Sequence, residues 1–240
     1  MNILAIETVT ECCSVSLTLD GQTHQSIKED VLAHSNFVLQ MVNDLCSGNG
    51  VELDQLDAIA VDIGPGSFTG VRIGLGVAQG LAYGADLPVI GVNSLEAFVL
   101  LYPDSLVVPA LDARMGQIYT GLYDTNSGCS VLHGPVVCDP GDLPFARDAM
   151  DVGDEYPVHG IGSGWAVYPD QLASAFTAEK GREHPQERLK IDSTSRLEAR
   201  LVAKAALMKG MESAISPLAV TATYVRNQVA NVAKPNDVNG

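Results

Sequence analysis

The 240-residue chain is 46% hydrophobic and only 18% charged, enough apolar material for one large core or two small ones without covalent staples. Its formal net charge of -15 argues against a chain that grips nucleic acid by itself, since that affinity comes mainly from cations neutralising phosphates; any such substrate would be held chiefly by a partner. The five cysteines, Cys12, Cys13, Cys46, Cys129 and Cys138, are odd in number and lack CxxC spacing, which gives neither a disulfide framework nor a zinc site. The opening MNILAIETVT has no basic flank, and no apolar stretch approaches the ~20 residues that span a bilayer, so a soluble protein of the reducing cytoplasm is expected.

In chain order, residues 2–6 and 13–19 read as strands, and 22–27 as a third strand joined to the second through the hairpin signal Asp20-Gly21. After Asp30, a plausible N-cap, the apolar positions Val31, Phe37, Val38, Met41, Val42 and Leu45 recur at helical spacing until Gly48-Asn49-Gly50 stops them. A buried strand over 57–63, a glycine-studded helix over 67–83, a strand over 87–92 and a helix from Ser94 follow. The second half begins again with strands over 106–111, 117–123 and 131–137, the first two separated by a short turn at 113–115. A weak helix after Asp139-Pro140, a strand over 158–161, a helix over 167–176, a short strand over 189–191 and a helix from Ser195 complete it, the last marked by the capping box Ser195-x-x-Glu198. Each half reads βββαβαβα, so two stacked copies of a mixed sheet flanked by helices are expected.

Gly64-Pro65-Gly66 forces a tight turn at a strand end, Ser67 can cap the helix that follows, and the free N–H groups of its first turn would face an anion. Phosphate motifs are nevertheless missed, because five residues rather than four separate Gly64 from Gly70, no Lys-Ser/Thr follows, and Thr69 breaks a GxGxxG pattern. Glycines inside the helix, Gly70, Gly74, Gly76 and Gly80, each cost about 1 kcal/mol relative to alanine, so close packing should recover the loss. Either the helix presses only on its own sheet, or one glycine row meets the sheet and the other, beside Arg72 and Gln79, meets a helix of another subunit.

Glu7-Thr8 at the first turn and Asp112-Ala113-Arg114 at the equivalent turn of the second half would face each other across a two-lobed cleft. Paired carboxylates there could hold a metal-nucleotide or serve as acid and base, or be ordinary turn residues. His34 stands without a second histidine at metal-ligating spacing, and no Ser-His-Asp set or GxSxG elbow is present. Gly160-Ile161-Gly162-Ser163-Gly164-Trp165 sits between a strand and a helix, where Gly162 and Gly164 suit either a ligand or a tightly packed turn.

The strings LAIETVTECCSVSL, GPGSFTGVRIGLGVAQGLA, LPVIGVNSLEA, LDARMGQIY and GSGW and the tail from Tyr224 to Asn227 resemble the TsaB (YeaZ) family, paralogues of the threonylcarbamoyl transferase TsaD. The resemblance implies an actin-like ATPase (ASKHA, ribonuclease H-like) α/β fold with an N-terminal lobe over 1–104, a reduced C-terminal lobe over 105–215, and a tail over 216–240 that packs back on the first lobe before becoming disordered. It also implies a role in making N6-threonylcarbamoyladenosine (t6A) beside the anticodon of tRNAs reading codons that begin with A. A TsaB-like subunit would be non-catalytic, without cofactor or metal of its own, supporting a TsaD-like transferase together with a TsaE-like ATPase and pairing with itself when alone. The tRNA would be held mainly by the partner. The single His34, the missing DxGT glycine after Glu7, and Arg114 at a phosphate-facing turn suit that silent role, while Ala222 departs from the family's PxYxR tail. The partner face expected by resemblance comprises Val31, His34, Val38 and Met41 from one helix and Arg72, Ile73, Val77 and Gly80 from the other. An active ATPase or sugar-type kinase using Glu7 and Asp112 is the alternative, and a metalloprotease is less favoured because no HExxH is present.

Overall fold

A computed structural model describes residues 1–29, 37–146, 149, 157–177 and 188–225. The first half contains β1 (Ile3–Glu7), β2 (Cys13–Leu19), β3 (Gln22–Lys28), α1 (Val38–Gly48), β4 (Ala58–Asp62), α2 (Phe68–Gly84), β5 (Val89–Val92) and α3 (Ser94–Val99). The second contains β6 (Leu106–Arg114), β7 (Gln117–Asp124), β8 (Ser130–Cys138), β9 (Val158–Ile161), α4 (Ser163–Val167), α5 (Pro169–Thr177), β10 (Leu189–Asp192) and α6 (Ala199–Lys209).

The duplication is visible in strand order. One sheet runs β3-β2-β1-β4-β5 and the other β8-β7-β6-β9-β10, so each strand of the second half takes the place of the strand five earlier. In both, an antiparallel hairpin pair precedes two parallel additions. This is the duplicated actin-like α/β architecture.

Local chemistry explains the elements. The strand β1, ILAIE, is buried along its whole length, which matches a continuous apolar run covered on both faces. Asp20 and Gly21 both take positive φ, 48° and 82°, the geometry of a hairpin turn that matches strand twist. On one face of the first sheet, α1 and α2 pack over Leu4, Ile6, Val15, Ile59 and Val61. On the other face, α6 from the end of the chain joins α3 and the strand residues Ile3, Ala5, Ala60 and Ile90 in a core that also reaches Val107, Leu111 and Tyr123 of the second sheet. The two halves therefore share a central core.

Several expected boundaries shift for stated reasons. The capping box at Ser195 does not form. Ser195 instead donates its N–H to Asp192 Oδ1 and its hydroxyl to the Asp192 carbonyl, Glu198 pairs with Arg200, and α6 starts at Ala199, whose N–H is met by Ser14 Oγ of β2 at 2.9 Å. The helix expected over 167–176 is divided, because Pro169 cannot continue α4 and opens α5 instead. In β6 the strand continues to Arg114, and the left-handed turn falls on Arg114, Met115 and Gly116, beyond the expected 113–115 turn. The N-cap expected at Asp30 and part of the weak helix after Asp139-Pro140 lie outside the described residues. Of the tail, Thr223 donates its N–H to the Ile63 carbonyl at 2.8 Å, while 226–240 are outside the described residues. No described helix is long and apolar enough to cross a membrane.

Candidate functional site

Between the lobes lies a cleft of about 690 Å³ lined by the first hairpin turn (Val9, Thr10, Glu11), the head of α2 with its preceding turn, the second hairpin turn (Leu111 to Arg114), Ser163 and the tail residues Thr223 to Val225. The two hairpins thus do face one another. Their carboxylates do not. Glu7 is fully buried beneath its own turn, with Oε1 accepting from the N–H groups of Val9 and Thr10, each at 2.8 Å, and from the Thr10 hydroxyl at 3.0 Å. Its Oε2 accepts from Ser14 Oγ at 3.4 Å. Thr8, also buried, donates its hydroxyl to the Gly70 carbonyl at 2.8 Å. Asp112 is at the cleft, but its carboxylate is taken up by the Arg114 N–H and by the Arg114 guanidinium at 3.1 Å.

Under the cleft, Asp62 at the end of β4 accepts from the Gly64 N–H at 2.8 Å and from Ser94 Oγ at 2.6 Å, both on Oδ1. Its Oδ2 is buried without a hydrogen-bond partner among the described residues. Burial, and next the neighbouring Asp62 carboxylate, push Glu7 up to about 8 against the pull of its donors; burial pushes Asp62 up to about 7. Glu7 and Asp62 are accordingly parts of the fold under the cleft floor, and neither is presented to a cleft ligand. Among the described residues, no group of three or more His, Cys, Asp and Glu side chains could hold a metal ion.

The glycines of α2 and its turn divide into two rows. A Cβ on Gly66 would stand 2.9 Å from the Val9 carbonyl oxygen, one on Gly70 would overlap the Thr8 carbonyl, and one on Gly74 would stand 2.6 Å from Thr8 Oγ1. These three let the helix lie directly on the first hairpin turn, a contact closed by the Ser67 N–H to the Val9 carbonyl at 2.9 Å. Among the described residues, Gly76, Gly80 and Gly84 meet nothing within 4 Å. They form an open strip, flanked by exposed Arg72 and Tyr83 and half-buried Ile73 and Val77.

On α1 the expected partner residues are corrected. Val38 and Met41 are 0% and 3% exposed and belong to the core against Val15 and Val61, because the apolar stripe that marks the helix is the face it buries. The outward positions are Leu39, Gln40, Asn43 and Asp44. Val31 and His34 lie outside the described residues.

The glycines of the second half serve packing. Gly162 has φ 100°, and its Cβ would stand 2.7 Å from the Ala110 carbonyl oxygen; one on Gly164 would stand 2.8 Å from Ala110 Cβ. Both let α4 sit on β6, where Trp165 Nε1 donates to the Val108 carbonyl at 3.0 Å. A contact not anticipated from the sequence is the stack at the cleft mouth: the Arg72 guanidinium lies 3.4 Å from the Phe68 ring centroid, and Phe68 meets the Tyr224 ring at 6.3 Å. The i,i+4 spacing of Phe68 and Arg72 on one helix was the available signal.

Fold and site together define a two-lobed actin-like α/β protein with buried acids beneath its cleft and an open small-residue face on one helix. A family model described as TsaD, tRNA N6-adenosine threonylcarbamoyltransferase, matches residues 30–234. The tRNA threonylcarbamoyladenosine biosynthesis protein TsaB of Escherichia coli is 39% identical over 177 residues, 71% of this chain and 74% of that protein. The Haemophilus influenzae protein of the same name is 43% identical over 123 residues, 50% of this chain and 52% of that one. The solved YeaZ of Pseudomonas aeruginosa superposes with a TM-score of 0.77 at 28% identity, over 93% of this chain and 99% of that chain. The chain belongs to the TsaB (YeaZ) family, within the wider family of that transferase model.

Proposed function

We propose that this chain acts in t6A synthesis on tRNA as a non-catalytic partner subunit, docking on a TsaD-like transferase through the outer face of α2 and working with a TsaE-like ATPase. The biosynthetic role is the one carried in the names of its relatives. The single observation that carries the docking reading is the open row Gly76, Gly80, Gly84. Each glycine inside a helix forgoes about 1 kcal/mol relative to alanine, and unlike the inner row this one recovers nothing from the described residues. A second backbone seated there would recover it by close approach. The same face would pair two copies when no transferase is present, and the acidic chain would leave the tRNA mainly to its partner.

The test is reconstitution of t6A synthesis from all other components, with and without this chain, alongside co-purification of the transferase with the Gly80→Leu variant. Open space beyond Gly80 means that the variant should fold; transferase binding should fall. Equal t6A yield without the chain would defeat the function, and unchanged binding by the variant would defeat the interface. A second reading, a weak ATPase, has the interlobe cleft in its favour. Calorimetry with Mg-ATP on the isolated chain decides it, submillimolar binding favouring the ATPase.

A further inference from the structure

Two buried carboxylates sit at the ends of adjacent parallel strands, Glu7 on β1 and Asp62 on β4. Among the described residues their hydrogen-bond partners are hydroxyls and backbone N–H groups, with no cation among them. Glu7 holds the first hairpin turn through Val9 and Thr10, whereas Asp62 holds the Gly64 turn and the start of α3 through Ser94. These two turns are joined to each other by the Ser67 N–H to the Val9 carbonyl and by the Thr8 hydroxyl to the Gly70 carbonyl. The head of α2 therefore rests on both acids, and Asp62 Oδ2 lies buried with no partner to stabilise a charge.

We propose that Glu7 and Asp62 form a proton-retaining pair that seats the head of α2, so that ionising both carboxylates loosens that seat. Two negative charges on neighbouring, fully buried carboxylates repel one another and cost far more than one. The relief available is to open the hairpin turn and the glycine turn toward the cleft. Among the described residues, the other titratable groups facing the pair are the Cys12 and Cys13 thiols, which feel Glu7; Arg196 and Glu29 act on Cys12 and Lys28 acts on Cys13. The proposal rests on this chain's own geometry and is independent of any partner.

The sign follows from linkage. Glu7 is raised from 4.5 to about 8 and Asp62 from 3.8 to about 7, so between roughly pH 5 and 7 the native chain keeps protons that the unfolded chain has lost. Stability then falls as pH rises, about tenfold in the folding constant per pH unit for each retained proton, and levels off above about 8. Urea unfolding from pH 5 to 9 on wild type, Glu7→Gln and Asp62→Asn reads this directly. Gln at position 7 preserves the bonds, its Oε1 accepting from Val9 and Thr10 and its Nε2 donating to Ser14 Oγ. The wild-type-minus-variant difference, which cancels the contributions of other titrating groups, should grow roughly tenfold or more per pH unit up to about pH 7. Amide exchange over 8–10 and 64–70, corrected for intrinsic rates, should accelerate above pH 8 in wild type and not in Glu7→Gln. If Glu7→Gln does not fold, Asp62→Asn carries the same comparison. Carboxyl ¹³C titration of wild type showing both groups ionised below pH 5, or a variant retaining the full wild-type slope, would overturn the proposal.

Discussion

The two glycine rows of α2 make opposite predictions for the same substitution, glycine to alanine. At Gly76 and Gly80 a Cβ meets nothing within 4 Å and the backbone is helical, so alanine contributes helix propensity alone, about 1 kcal/mol per site. For a chain of this size that raises the melting temperature by roughly 2–4 °C per site. At Gly70 the added Cβ would overlap the Thr8 carbonyl, and at Gly74 it would stand 2.6 Å from Thr8 Oγ1. The helix must lift, straining the Ser67 to Val9 and Thr8 to Gly70 hydrogen bonds, at about 1–3 kcal/mol for overpacking and about 1 kcal/mol for each bond lost. Scanning calorimetry of the four single variants at two protein concentrations tests this; the lower one suppresses self-association through the outer face. Gly76→Ala and Gly80→Ala should melt higher than wild type at low concentration, whereas Gly70→Ala and Gly74→Ala should melt several degrees lower. Destabilisation by the outer-row variants in dilute solution would refute the claim that this row is open, and with it the strongest support for a docking face.

Further substitutions test the joints between the halves. Ser14→Ala removes the acceptor for the Ala199 N–H and should cost about 1 kcal/mol, as for a lost helix cap, seen as a lower urea midpoint with unchanged slope; a neutral result would mean that α6 is capped in another way. Trp165→Phe removes the indole bond to the Val108 carbonyl, which keeps its place in the β6–β9 ladder, and should cost about 1 kcal/mol in the same assay, whereas retention of wild-type stability would show that the indole bond contributes nothing. Burial pushes Cys13, Cys129 and Cys138 up to about 11 and raises Cys12 and Cys46, so alkylation at pH 8 should be slow for the native chain and fast in urea. Labelling of any of the five at the rate of a free thiol, read by mass spectrometry on the folded chain, would contradict the packing described.

How far the sequence could be read depended on whether a residue's partner was local. The hairpin at Asp20-Gly21 and the element order of both halves followed from short-range signals, since a positive φ at a turn and apolar runs bounded by turn residues are set within a few residues. Ser195 failed because two local uses competed for it: the Asp192 turn took its N–H and hydroxyl, while α6 drew its cap from Ser14, distant by 185 positions. Glu7 was misplaced for a related reason. A carboxylate after a buried strand has the same pattern whether it faces a cleft or turns under its own hairpin, and only the positions of Val9, Thr10 and Asp62 decide between them.

The partner face shows the same limit from the other side. Val38 and Met41, expected by resemblance at the partner face, stand on the apolar periodicity that identifies α1, and that periodicity exists because those side chains are buried. It therefore marks the face that is unavailable to a partner. The glycines of α2 carry no such bias, because glycine permits close approach on either side of a helix. Their i,i+4 spacing left room for one close contact or two; the inner one is met by Thr8 and Val9. With that contact already satisfied inside the chain, the unspent outer row gives the stronger argument for a second backbone, and it does so without relying on any residue whose apolar character the core already explains.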